Sequence, residues 1–258
     1  MRYFFTVFIL FLAFISAAEA RLRTETVEYT DSGKVLEGYL AYDDSVEGRR
    51  PGVLVVHEWW GINDYIKKRT EMLAGLGYVA FAADIYGKGV RTADAEVAGR
   101  LAGIYRADRA LLRRRAARGL EVLKANGLTD PERVAAIGYC FGGTTVLELA
   151  RSGAPLSGVV SFHGNLDTPA PETSVIKAKV LALTGALDPY VTPERVREFE
   201  DEMRKAGADW FMVSYGGAVH SFTNTASGAD PSKGVAYNET ADRRSWRAMK
   251  DFFTEIFK

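Results

Sequence analysis

At 258 residues, 47% of them apolar and with no long polar tract, the chain is long enough to bury a full core, and it suits one large α/β domain better than two small ones. Basic and acidic residues balance at 33 each, which excludes the overall field that draws a protein to nucleic acid or to an anionic membrane. The local run Arg113-Arg114-Arg115 lies in a helical stretch with Leu111, Leu112, Leu120 and Leu123 on another side, and reads as a solvated helix face.

Residues 1–20 form a separate object. Arg2 supplies a short positive region, Tyr3 to Ile15 is almost wholly apolar, and Ala18-Glu19-Ala20 fits a small-x-small cleavage site. These features predict a secretory signal removed after Ala20, leaving residues 21–258 as the mature domain. The apolar run falls short of the ~20 residues a spanning helix needs, so no stable membrane span is expected after removal. An exported protein, periplasmic or secreted, is the expectation. Cys140 is the one cysteine, so an exported chain would carry a free thiol with no internal disulfide partner.

Thr26 to Tyr29 and Val35 to Ala41 read as two short strands joined at Asp31-Ser32-Gly33, an antiparallel edge. Pro51-Gly52 opens Val53-Leu54-Val55-Val56, a continuous apolar run of the kind buried on both faces of a sheet. After the loop His57-Glu58-Trp59-Trp60-Gly61, Asn63 caps a predicted helix through Met72 and Leu76 that Gly77 ends. Tyr78 to Ala83 is the next buried strand, and Asp84 to Gly89 leaves it as a loop. Thr92 to Tyr105 is weakly helical and suits a lid, and Arg109 to Ala125 is a long helix closed by Asn126-Gly127. Further strands are predicted from Arg133 to Ile137, Leu156 to Phe162, Val180 to Leu183 and Trp210 to Ser214. Thr192-Pro193 starts a helix, and Asn238 to Phe257 gives a terminal amphipathic one. Strands alternating with helices predict a mostly parallel sheet flanked by helices on both faces.

In such a sheet, functional residues belong at the carboxyl ends of the strands. The most informative stretch is Ile137-Gly138-Tyr139-Cys140-Phe141-Gly142-Gly143, where an apolar strand runs into a GxCxG turn and a helix follows at once. A nucleophile elbow has this form, with glycines where any side chain would clash. The thiol would stand at a helix N-terminus, whose dipole and free N–H groups favour a thiolate and an oxyanion. Taken alone, the pentapeptide equally fits a small buried cysteine in close strand-to-helix packing.

Downstream residues shift that balance. Cysteine catalysis needs a base for the thiol proton and a third group to orient the base. Asp188, in Thr184-Gly185-Ala186-Leu187-Asp188-Pro189, follows one buried strand, and His220, in Ala218-Val219-His220-Ser221-Phe222, follows the last. The order nucleophile, acid, histidine is that of α/β-hydrolases. His57 reads as a hydrogen-bonded structural residue, and His163 as structural or pocket-lining, with a catalytic part left open. Asp167 is the alternative acid. No paired His or Cys ligands occur at coordination spacing, so neither metal nor cofactor is expected.

From the strand before His57 to the terminal helix the chain resembles the dienelactone hydrolase family, small single-domain α/β-hydrolases with a Cys-His-Asp triad. The resemblance is carried by His57-Glu58-Trp59-Trp60-Gly61, the elbow at Gly138 to Gly143, Leu187-Asp188-Pro189 and Val219-His220-Ser221-Phe222. It implies Cys140 as nucleophile, His220 as base, Asp188 as its orienter and Glu58 as a carboxylate beside the thiol. It also implies an oxyanion hole from the backbone N–H groups of Phe141 and Trp59. A buried Glu58 carboxylate would accept the thiol proton when substrate arrives and otherwise keep the sulfur less reactive; the alternative is a loop glutamate paired with Lys67 or Arg69.

Where the resemblance implies two arginines for a substrate carboxylate, this chain has Lys88 and Asn224, which lack the bidentate fork or the charge. Trp59, Trp60, Tyr86 and Phe222 would give an aromatic wall suited to neutral or apolar acyl groups. The expected function is an exported, monomeric, cysteine-dependent hydrolase of small carboxylic esters or lactones. A non-catalytic ligand-binding protein on the same fold and a thiol redox sensor are the rival expectations.

Overall fold

The computed structural model describes residues 21–171 and 175–258. The signal expected over residues 1–20 lies outside the described residues. Eight strands form one sheet in the order β1-β2-β4-β3-β5-β6-β7-β8. They are β1 (Leu22–Asp31), β2 (Lys34–Asp43), β3 (Arg50–Val56), β4 (Val79–Ala83), β5 (Thr129–Tyr139), β6 (Gly158–Phe162), β7 (Lys179–Gly185) and β8 (Trp210–Tyr215). The hairpin β1–β2 is antiparallel and joins β4 antiparallel, while every other pairing is parallel.

The helices are α1 (Asp64–Ala74), α2 (Ala95–Ala107), α3 (Arg109–Ala125), α4 (Phe141–Arg151), α5 (Pro193–Lys205) and α6 (Glu239–Ile256). Because successive strand residues point to opposite faces, the apolar run of β3 serves two cores. Val53 and Val55 pack with Ile66 and Leu73 of α1 and with Met249 and Phe252 of α6. Leu54 and Val56 pack on the other face with Leu112 and Leu120 of α3, Val146 of α4 and Phe199 of α5. Both sheet faces are thus covered, which explains the unbroken apolar strands. Among the described residues no helix is long and apolar enough to cross a membrane.

Most element boundaries agree with the sequence reading within a few residues. Helix α1 ends earlier than expected, at Gly75 rather than Gly77, because the Gly75 N–H already closes on the Glu71 and Leu73 carbonyls. Strand β5 starts four residues before Arg133, since Arg50 and Pro51 pair with Thr129 and Asp130 ahead of a register shift. The segment expected to be weakly helical is a regular helix, α2, capped by the Asp94 carboxylate, which accepts from the Glu96 and Val97 N–H groups.

Strand order reverses between β3 and β5: the chain moves from β3 to β4 on one side and to β5 on the other. The crevice at such a switch point lies beyond the carboxyl ends of the two strands. Here those ends deliver His57-Glu58-Trp59 and Cys140.

Candidate active site

Strand β5 passes into α4 with one residue between, and that residue is Cys140, held at φ 52° and ψ −114°. Side chains rarely adopt this region, so the surrounding structure must over-determine it. The glycines permit that. A Cβ on Gly138 would lie 2.0 Å from the Gly142 carbonyl oxygen, and one on Gly142 would lie 2.2 Å from the Val56 carbonyl oxygen. The sulfur is half-buried. Phe141 is the first helical residue, so its N–H has no acceptor within α4.

Two other loops reach the thiol. The loop after β7 carries Asp188, whose Oδ1 accepts from the Tyr190 N–H at 2.9 Å. The loop after β8 carries His220, pinned by its N–H on the Gly234 carbonyl (3.1 Å) and by the Ala236 N–H on its own carbonyl (3.1 Å). His220 Nδ1 lies 2.9 Å from Asp188 Oδ2, and its Nε2 lies 3.1 Å from Cys140 Sγ. Burial alone would push the His220 pKa down. The electrostatic influence of Cys140 and the bonds to Asp188 and Cys140 outweigh it, and the pKa stands well above the ordinary histidine value.

Glu58 is fully enclosed and accepts from Ser221 Oγ at 2.9 Å and Asn224 Nδ2 at 2.6 Å. It pairs with neither Lys67 nor Arg69 among the described residues; burial raises its pKa, against the lowering by Ser221 and Asn224. Behind it His57 lies 2.5 Å through Nδ1 from the Glu58 carbonyl and accepts through Nε2 from the Ile85 N–H at 3.3 Å. These bonds fix the imidazole as a neutral brace for the Glu58 backbone. His163 is likewise buried, and its ring accepts from the Cys140 N–H at 3.1 Å. Asp167 is turned elsewhere, paired with Arg109 at 3.3 Å.

A cavity of about 200 Å³ opens over the sulfur, lined by Glu58, Trp59, Trp60, Arg106, Cys140, Phe141, Thr144, Asn165, Tyr190, His220, Ser221, Ser227 and Val235. Trp59 and Trp60 form its aromatic wall, edge to face at 4.8 Å. Tyr86 and Phe222 stand behind the lining. Tyr86 donates to the Trp59 carbonyl at 3.1 Å, and its ring meets His57 and Phe141. Phe222 packs on His163 and Tyr215. Lys88 lies outside the cavity, ion-paired with Glu28 on β1, and Asn224 is spent on Glu58. The charged side chain that does line the cavity besides Glu58 and His220 is Arg106 of α2, which has no hydrogen bond or ion pair among the described residues. Local sequence gives no signal for Arg106, because it follows an ordinary amphipathic helix pattern and reaches the site only through the fold of α2 over the elbow.

A mostly parallel sheet, a strand-turn-helix elbow and an acid and a histidine on later loops define an α/β-hydrolase. The sequence profile of the Dienelactone hydrolase family matches residues 36–257. The chain therefore belongs to the dienelactone hydrolase family and is, with that family, a hydrolase of ester bonds. It is similar to a dienelactone hydrolase-like promiscuous phosphotriesterase from metagenomic libraries, with 41% identity, a TM-score of 0.86 and coverage of 92% of this chain and 99% of the other. A protein of Aquifex aeolicus provisionally named a carboxymethylenebutenolidase is 26% identical over 239 residues, 91% of this chain and 99% of the relative. A Bradyrhizobium protein provisionally named a 2-oxo-3-(5-oxofuran-2-ylidene)propanoate lactonase is 29% identical over 217 residues, 78% of this chain and 86% of the relative.

Proposed function

We propose that the protein is an exported, cysteine-dependent hydrolase of small carboxylic esters or lactones that works through a thioester acyl-enzyme. The observation that carries this reading is the continuous chain from Asp188 through His220 to Cys140, with contacts of 2.9 and 3.1 Å at the mouth of an aromatic cavity.

His220 takes the Cys140 proton through Nε2, and Asp188 holds Nδ1 and balances the imidazolium. The thiolate attacks the substrate carbonyl carbon. A carbon–sulfur bond forms, and the carbonyl electron pair moves to an oxyanion for which the Phe141 and Trp59 N–H groups are the proposed donors. Collapse breaks the carbon–oxygen ester bond, with the His220 proton passing to the leaving alkoxide. Water, deprotonated by His220, then cleaves the thioester and restores the thiol. In a lactone the leaving alkoxide stays tethered to the acyl group, so the product is one hydroxy acid. Glu58, enclosed and held by Ser221 and Asn224, assists His220 by accepting the thiol proton when substrate arrives and otherwise keeps the sulfur less reactive.

Hydrolysis of a panel of p-nitrophenyl esters and simple lactones by the parent and by Cys140→Ala tests this reading. Turnover by the parent alone supports it, and equal turnover by both overturns it. Export rests on the character of residues 1–20. Its check is the intact mass of protein recovered outside the cytoplasm: a chain beginning at Arg21 is expected, and an uncleaved chain retained with the cells contradicts it.

A further inference from the structure

His163 is fully buried beside the nucleophile turn and takes no part in the steps above. Its bonds nevertheless join the two halves of the site. The Cys140 N–H is shared between the Phe162 carbonyl at 3.0 Å and His163 Nδ1 at 3.1 Å. Because that N–H is the donor, Nδ1 carries no proton and the neutral ring holds its proton on Nε2. Nε2 then donates to Thr223 Oγ1 at 2.7 Å. Thr223 sits three residues after His220, and it is fixed from two further directions: Tyr65 Oη is 2.6 Å from its hydroxyl, and Arg69 donates to its carbonyl at 2.6 Å. The same short loop supplies Ser221 and Asn224 to Glu58.

We propose that His163 is a positioning residue: a neutral imidazole bridging the Cys140 backbone to the Thr223 hydroxyl, which keeps the sulfur and the His220 ring in register. Cys140 and His163 both hold positive φ, 52° and 41°, so neither turn relaxes into an ordinary conformation, and the bridge spans the gap between the two strained turns and the His220 loop. Burial and the nearby charges of His220 and Arg69 hold the ring neutral, well below the ordinary histidine value, which keeps Nδ1 available as an acceptor. This inference rests on the proposed roles of Cys140 and His220.

The test uses the full mature protein and the variants Thr223→Val, His163→Asn, His163→Phe and the double variant His163→Phe/Thr223→Val. Three quantities are read: kcat and KM on one p-nitrophenyl ester, the iodoacetamide alkylation rate at pH 7, and the folded fraction by thermal melt. Cys140 is the sole cysteine, so alkylation reports on it without mapping. Small misplacements of reacting groups cost up to ~10²-fold. His163→Phe is expected to lower kcat by about that much, and Thr223→Val by about tenfold, each with KM within twofold and with slower alkylation. His163→Asn, whose amide oxygen stands near the lost Nδ1, should recover part of the loss. The double variant should be no worse than His163→Phe, because both break one bridge. The proposal is overturned if Thr223→Val and His163→Phe keep kcat and alkylation within twofold of the parent, if the two losses simply add, or if activity follows the folded fraction alone. Should the parent turn over no ester, the alkylation series still decides the bridge, so its failure is separable from failure of the hydrolase reading.

Discussion

Behind the nucleophile turn, His57 and His163 are sealed among aromatic rings and backbone amides; in front of it, His220 meets a sulfur and a carboxylate at the edge of a cavity. Burial lowers the pKa of the first two, and they remain neutral braces. The third feels the same desolvation, yet its contacts with Cys140 and Asp188 reverse its direction. The three residues share one chemistry, and only the partners on their ring nitrogens separate a support from a proton carrier.

The sharpest way to break that contrast is to remove the partners of His220. Cys140→Ala is expected to abolish measurable ester turnover, and Asp188→Asn to reduce kcat by ~10⁴-fold with the fold intact, since an amide leaves the imidazole in the wrong tautomer. Steady-state kinetics beside a circular dichroism spectrum checks both; an Asp188→Asn variant within tenfold of the parent would refute the orienting role. Gly142→Ala probes the turn that divides the two regions. Its Cβ would collide with the Val56 carbonyl oxygen, a backbone atom of the central strand, so a cost of at least ~1–3 kcal/mol in stability and severe loss of activity are expected in urea unfolding and ester assays.

Glu58 sharpens the comparison through pH. Its folded-state pKa is raised above the ordinary value of 4.5, so its contribution to stability is complete below that value and is lost as pH rises through the folded pKa. His220 acts in the same sense, its contribution being complete below 6.5 and fading as pH climbs through its own raised pKa. Melting temperatures should therefore fall toward alkaline pH, and Glu58→Gln should flatten that fall relative to the parent; parallel curves would contradict the enclosed carboxyl. The smallest effect is expected at the cavity rim. Arg106→Gln should raise KM about tenfold for an ester bearing a free carboxylate and leave a neutral ester nearly unchanged, while Lys88→Ala should alter neither. The opposite pattern would return the anion-facing role to Lys88.

The elbow was readable in the sequence because its glycine pattern is local, although only Gly138 answers to a neighbour within five residues while Gly142 makes room for Val56 of the adjacent strand. The order of Cys140, Asp188 and His220 follows from where parallel strands end. The apolar runs of β3 and β4 were equally legible, since strands buried on both faces leave few polar residues. Contacts made across the fold were not. Lys88 stands at the expected place in the chain, but the β1–β2 hairpin sets Glu28 against it and draws it away from the cavity. Tyr86 and Phe222 belong to the right loops yet turn behind the lining, onto His57 and His163. The His163–Thr223 bond joins residues 60 apart with no shared local pattern, and only the close approach of the two loops brings it into being.

The most direct measurement is intact mass after rapid mixing of the parent protein and Cys140→Ala with a slowly hydrolysed p-nitrophenyl ester. A transient gain of one acyl group on the parent, absent from the variant and decaying as product appears, is the predicted result. Steady turnover with no adduct on the parent, or an equal adduct on Cys140→Ala, would contradict a thioester on Cys140.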